Sequence, residues 1–188
     1  MRIALFVTLL GALAACGTTG GSKGSGPTST SVSGSAGSQS FAVKDAVGLY
    51  NITREYSGVI ITDFSGSCAL LTSGMEAPPS TQILAVELIA NGIGMAPGPG
   101  TYTLGTTQNV AISVSYAASD ANCKETVMEQ ATGGSVTLDT VNTTTVTGTF
   151  DVSFANGDHL TGQFDAPVCN VDITNFGSNG GGCVGSDQ

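Results

Sequence analysis

Basic side chains and rings are scarce in this 188-residue chain, and the scarcity closes off several kinds of function. Five Lys and Arg stand against 14 Asp and Glu. From Phe41 onward only Lys44, Arg54 and Lys124 are basic, while all 14 acidic residues fall there, a net charge of −11. Nucleic acid and anionic membrane surfaces are bound by clustered Lys and Arg, so neither is an expected partner of this region. The negative charge is better suited to solubility. A single histidine, His159, leaves any imidazole acid–base chemistry to one position. The leading apolar run, Ile3 to Ala15, is 13 residues, well short of the roughly 20 that a membrane-spanning helix needs.

What is present begins with that short run. Arg2, the apolar stretch after it and the small residues Ala14 and Ala15 have the three parts of a secretory leader. Leu13-Ala14-Ala15-Cys16 resembles the lipobox of bacterial lipoproteins, in which the cysteine becomes the lipidated first residue of the mature chain. The resemblance implies lipidation at Cys16 and attachment to a membrane through an N-terminal lipid. Gly17 stands where some lipoproteins carry an aspartate that retains them in the inner membrane, so the expected address is the outer membrane of the cell envelope. Residues 1–15 are then the signal peptide. Residues 16–40, almost all Gly, Ser and Thr after Cys16, are expected to be a flexible tether, because so little apolar surface does not offset the entropy of ordering. The 24 residues after Cys16 would reach about 25–30 Å as a random coil. Residues 41–188 are long enough for a single domain with one core.

From Phe41 the chain breaks into short runs of β type. Phe41 to Tyr50, Gly58 to Phe64, Gln82 to Ile89, a start at Thr101 and Val110 to Tyr116 are expected strands. Val110, Ile112, Val114 and Tyr116 alternate with small or polar residues, the mark of a half-buried strand. Ser67 is placed to cap one helical turn through Leu71, ended by Gly74. Lys124 to Thr132 suits a short helix or a polar edge strand equally. Ser135 to Thr140 and the segments around Phe150 and Phe164 are expected to form an antiparallel meander. Within it Thr147-Gly148-Thr149-Phe150-Asp151 is echoed by Thr161-Gly162-Gln163-Phe164-Asp165. Asn156-Gly157-Asp158 supplies the hairpin loop. Centring the loop on Gly157 puts the even-numbered apolar positions on one face and opposes Phe150 to Phe164. The expected fold class is all-β: an antiparallel β-sandwich or partly open barrel of about eight strands, with at most short helical turns.

With Cys16 assigned to lipid, four cysteines remain, an even set that in an exported chain reads as two disulfides. If Lys124 to Thr132 is not a strand, Cys68–Cys169 form at one end of the sheet and a returning tail brings Cys183 to Cys123. If it is a strand, the ends exchange, favouring Cys123–Cys169 and Cys68–Cys183. Cys68–Cys169 with Cys123–Cys183 is the preferred pairing. Close cysteine pairs are lacking, the smallest spacing being 14 residues, so no metal site is expected.

Several patterns with a chemical look fail on context. Gly20-Gly21-Ser22-Lys23-Gly24 spells G-x-S-x-G but sits in the tether, not between a strand and a helix. Gly92-Ile93-Gly94 lacks the third glycine and the helix of a dinucleotide loop. Asp151 and Asp165 share an outward face but are expected opposite Gln163 and Thr149, not each other. No catalytic residue and no cofactor are expected.

The runs G-S-V-T-L from Gly134, V-T-G-T-F-D-V-S-F from Val146 and L-T-G-Q-F-D-A-P-V-C to Cys169 carry a further resemblance, with Pro99-Gly100-Thr101-Tyr102. Together they are similar to a group of bacterial all-β lipoproteins with a lipobox, a Ser/Gly tether and a terminal G-x-F-D strand repeat. The similarity spans Gly58 to Cys169 and implies an exported β domain without supplying functional residues. The function expected is non-enzymatic, in envelope structure or surface interaction with a protein or envelope partner. The alternative is a carrier of small apolar ligands with a lipocalin-like barrel, although the absence of tryptophan removes the usual G-x-W start of that family.

Overall fold

The structure, a computed structural model, describes residues 29–171 apart from Arg54, Glu76, Asn91, Ile93 and residues 106–108. Its elements in chain order are β1 (Ser31–Ala36), β2 (Gln39–Ser40), β3 (Asp45–Asn51), β4 (Tyr56–Thr62), α1 (Ser67–Ser73), β5 (Gln82–Ala90), β6 (Gly100–Thr103), β7 (Val110–Ser119), β8 (Glu125–Val141), β9 (Thr145–Phe154) and β10 (His159–Pro167). Nine strands are hydrogen-bonded in the order β2-β1-β10-β9-β8-β7-β5-β4-β3, and β6 pairs with β8 beside that path. All these pairings are antiparallel, and the sheet curls into a half-barrel. Closure begins where edge strand β3 meets the chain leaving β10: Gly48 bridges Val168, and the Cys169 N–H donates to the Gly48 carbonyl at 2.8 Å.

The bend is made in β8. Its first half pairs with β7, and its second half pairs with β6 and β9. Register shifts between Ala131 and Gly133 and between Leu138 and Thr140 turn the strand without ending it. Gly134, at φ 109°, lies so close to the Asp151 carbonyl that a Cβ would collide with it. Lys124 to Thr132 is therefore neither a helix nor a separate strand. It is the start of a 17-residue strand that contains the expected Ser135 to Thr140 strand as well.

The loop between β9 and β10 is centred one residue earlier than Gly157. The Gly157 N–H donates to the Phe154 carbonyl at 3.1 Å, and the Phe154 N–H donates to the Asp158 carbonyl at 2.9 Å. Gly157, at φ 90°, takes the last of three loop positions, where a left-handed residue closes the turn. The even positions keep their inward face, but every cross-strand partner moves by two. Phe150 stands opposite Gly162 and Phe164 opposite Gly148. A Cβ at Gly162 would lie 2.6 Å from Phe150 Cζ, and one at Gly148 would lie 2.8 Å from Phe164 Cζ. The repeated G-x-F thus pairs each ring with the glycine of the other copy.

The N-terminal boundary also shifts. Residues 31–40, expected within the tether, form β1 and β2, with β1 paired to β10 from Ser31↔Gln163 to Ser35↔His159. Backbone ladders need no apolar side chains, and β10 would otherwise present an unpaired edge. Two side chains suffice to orient β1: Ala36 is buried and Val32 packs against the core. Phe41 lies in the core before β3 begins and meets Tyr116 edge-on, with ring centroids 6.2 Å apart.

Inside the half-barrel one continuous cluster joins the walls, with Leu84, Leu88, Tyr116, Val136, Leu160 and Phe164 almost completely buried. Each fully buried side chain of this kind contributes about 1.5–3 kcal/mol relative to exposure. A smaller cluster sits on the outer face of β3, β4 and β5, where Val47, Leu49, Tyr56 and Ile60 pack with Cys68, Leu71, Ile83 and Val171. It positions the site described next.

Candidate functional site

Gln82 to Ala90 reads as an almost unbroken apolar run, which in a central strand requires cover on both faces. The barrel covers Leu84, Val86 and Leu88, and α1 partly covers Ile83 and Ala85 on the outside. α1 is held at its start by Asp45, whose Oδ2 accepts from the Gly66 and Ser67 N–H groups at 2.9 Å each. Ser67 is not the cap; Gly66 takes that position without a side-chain bond, and Gly74 ends the helix in the left-handed region. The Ser67 hydroxyl instead pairs with Thr62 Oγ1 at 2.7 Å, buried at the end of β4. A disulfide between Cys68 and Cys169 ties the helix to the chain leaving β10.

Between the helix and the sheet lies a groove of about 300 Å³. Leu70, Leu71 and Met75 form the helix side, and Ile60, Ile83 and Ala85 form the floor. Met75 is 58% exposed, so the groove has an open apolar rim. Its polar members include Glu87 and Ser115. The Tyr56 hydroxyl donates to Glu87 Oε1 at 3.1 Å; burial, then the Glu87 charge and this hydrogen bond, raise the phenol far above its ordinary pKa. The arrangement suits an apolar segment with a polar end.

The residues singled out by sequence are dispersed. His159 Nε2 lies 2.7 Å from Asp151 Oδ1, with both side chains exposed, at 48% and 68%. Asp151 stands opposite Thr161 and Asp165 opposite Thr147, rather than opposite Gln163 and Thr149, because of the changed register. The Asp165 carboxylate accepts from Thr145 Oγ1 at 3.4 Å and is not paired with Asp151. Gly92 and Gly94 already have an anion: both carboxylate oxygens of Glu55 accept from their backbone N–H groups, at 2.7 and 2.5 Å. Cys123 is disulfide-bonded to a partner outside the described residues. Cys16, Cys183 and the G-x-S-x-G run also lie outside them. Among the described residues no three His, Cys, Asp or Glu are grouped to hold a metal ion, and no helix is long and apolar enough to cross a membrane.

Two features escaped the sequence. Asp158 fastens the β9–β10 loop to the β1–β2 turn, accepting from the Ser38 N–H at 2.9 Å, the Ser35 hydroxyl at 3.1 Å and Asn156 Nδ2 at 2.9 Å. The Ser38 N–H leads these bonds in holding its carboxyl below the ordinary range. At the same end, Glu129 lies opposite Tyr116, and Glu129 Oε1 accepts from Asn156 Nδ2 at 2.7 Å. Burial, then Asp63 and Glu129, push the Tyr116 hydroxyl up to about 12, and it has no hydrogen-bond partner among the described residues. Only the alternation of Val127, Glu129 and Ala131 hinted that Glu129 faces inward.

No family model, no curated protein and no solved structure matches the chain.

Proposed function

We propose that this chain is an exported lipoprotein, anchored through Cys16 to the outer membrane, whose β domain serves non-catalytically in envelope structure or in contacts with another envelope component. The observation that carries the reading is how its carboxylates are used. Asp45 holds a helix start, Glu55 holds two glycines, Asp120 holds the Asn122 and Lys124 N–H groups, and Asp158 fastens two turns. These acids fix backbone, as a scaffold requires. The lipobox resemblance at Leu13 to Cys16 supports the anchor. Because Ser29 and Thr30 are already hydrogen-bonded to Gln163 and Asp165 of β10, the proposed spacer shrinks to residues 17–28.

Metabolic labelling with a clickable palmitate analogue tests the anchor. Intact protein should incorporate the label and partition with membranes, and Cys16→Ser should do neither. Unlabelled intact protein would refute the proposal. The groove favours a second reading, carriage of a small apolar ligand on the outer face rather than inside the barrel. Native mass spectrometry of protein extracted from its own envelope should then retain a bound apolar molecule that Ile83→Asp abolishes.

A further inference from the structure

The groove between α1 and the sheet changes character along its length. Ile83, Ala85 and Glu87 share the outer face of β5, and all three line the groove. At the rise of a strand they span about 13 Å, so the floor passes from apolar to anionic over that distance. Gly58 allows Glu87 to be held there. It stands opposite Glu87 across β4 and β5, and a Cβ on it would lie 3.0 Å from the Tyr56 hydroxyl. The Tyr56 side chain therefore passes over Gly58, and its hydroxyl donates to Glu87 Oε1 at 3.1 Å. That bond occupies one of several acceptor positions on the carboxylate. Among the described residues no Lys, Arg or His lies within ion-pair distance of Glu87.

We propose that the groove binds small amphiphilic cations, the apolar body lying on Ile60, Ile83 and Ala85 and a protonated amine bonded to Glu87. The inference rests on the reading of the groove as a carrier site and names the class of ligand it takes. A partly buried carboxylate at the end of an apolar groove is stabilised by a cation that brings its own hydrogen-bond donors. Ser115, opposite Ala85 on β7, lines the groove with a hydroxyl that can accept a second amine proton. An anionic head on the same body would meet Glu87 as a like charge. The wider field acts in the same direction, since the chain from Phe41 onward carries a net charge of −11. A volume of about 300 Å³ lies at the lower bound for small-molecule sites, which suits a short chain or a single ring rather than a two-chain lipid.

The full-length chain with Cys16→Ser, which carries no lipid at that position, tests this without detergent to compete. Octylamine, octanol and octanoate share an apolar tail and differ in the head group. Titrations followed by the NMR signals of the Leu71 and Ile83 methyls therefore separate the head from the tail. Octylamine should bind at least about tenfold more tightly than octanol, the lower end for a charge-assisted hydrogen bond, and octanoate more weakly than octanol. Glu87→Gln, which keeps an acceptor for Tyr56, should bring octylamine and octanol to the same affinity. Equal binding of octylamine and octanol by the parent, tighter binding of octanoate, or an amine preference that survives Glu87→Gln would overturn the inference and leave apolar carriage standing. Failure of all three probes to shift the Leu71 and Ile83 methyls would refute carriage itself, and the inference with it.

Discussion

Replacing Gly148 with alanine tests the interlocked rings and glycines of β9 and β10 most directly. A Cβ there meets Phe164 Cζ at 2.8 Å and collides with the Thr137 carbonyl of β8. The ring has a rotatable bond, but the carbonyl belongs to a central strand paired on both sides. Overpacking of this kind costs about 1–3 kcal/mol. At Gly162 the collisions are with Phe150 and with the Ser31 carbonyl of β1, which five residue pairs hold to β10. That strand yields more readily, so Gly162→Ala should lie near the lower end of the same range. Gly133 is the control, since a Cβ there has no neighbour within 4 Å. Urea unfolding should rank the three as Gly148→Ala most destabilised, then Gly162→Ala, with Gly133→Ala within about 0.5 kcal/mol of the parent. In thermal scans each kcal/mol corresponds to about 2–4 °C for a domain of this size. If Gly148→Ala were as stable as Gly133→Ala, the register that opposes Gly148 to Phe164 would be wrong.

Further outcomes follow from other contacts. Cys68→Ser with Cys169→Ser opens a loop of 101 residues and should lower stability by at most about 4–5 kcal/mol in the chain-entropy model, read by urea unfolding of both forms. The Asp158 carboxyl is held below its ordinary pKa, so its contribution is present above the unfolded value of about 3.9 and is lost as pH falls through the folded value. Asp158→Asn should therefore be less stable than the parent at pH 7, the difference shrinking toward pH 2; a constant difference would refute the assignment. Asp45→Ala removes the acceptor for two helix N–H groups, so hydrogen exchange in α1 should quicken while β9 and β10 stay protected. Deleting residues 17–28 should leave the melting temperature within about 2 °C, whereas deleting Ser29 to Ser40, which pair with β10, should lower it and promote association through the bared β10 edge.

The strands legible in the sequence are those with two-residue alternation, such as Val110 to Tyr116 and the even positions of β9 and β10. Alternation fixes a face but not a partner. A two-residue slide keeps Phe150 and Phe164 inward, and the position of Gly157 in its turn decides between the registers. β1 was hidden because its stability comes from backbone pairing with an edge that lies 124 residues away at Ser35↔His159 and 132 at Ser31↔Gln163, a signal that Gly/Ser composition does not carry. The cysteine reasoning is instructive in another way. Lys124 to Thr132 is a strand, the condition thought to favour Cys123–Cys169, yet Cys68 pairs with Cys169. Because that segment runs straight on into Ser135 to Thr140, it adds no reversal of chain direction. The groove was half legible: the two-sided apolar run of β5 demanded a cover, while the match between that cover and the floor depends on the shape of α1.

If the chain is held at Cys16 as proposed, the place of β1 and β2 at the end of the sheet has a mechanical consequence. Tension from the N-terminal side first loads the bonds that Ser29 and Thr30 make to Gln163 and Asp165 of β10, then the Ser31↔Gln163 pair. A pull directed away from the sheet breaks the β1–β10 pairs one at a time, and the Asp158 contacts to Ser35 and Ser38 are the last clasp. Ten residues released from β1 and β2 add about 33 Å of slack at the extended rise per residue. The remaining strands carry no load until that slack is taken up. The end of the sheet would then work as a fuse between membrane and domain, and force spectroscopy should record it as a small low-force step before the main unfolding event.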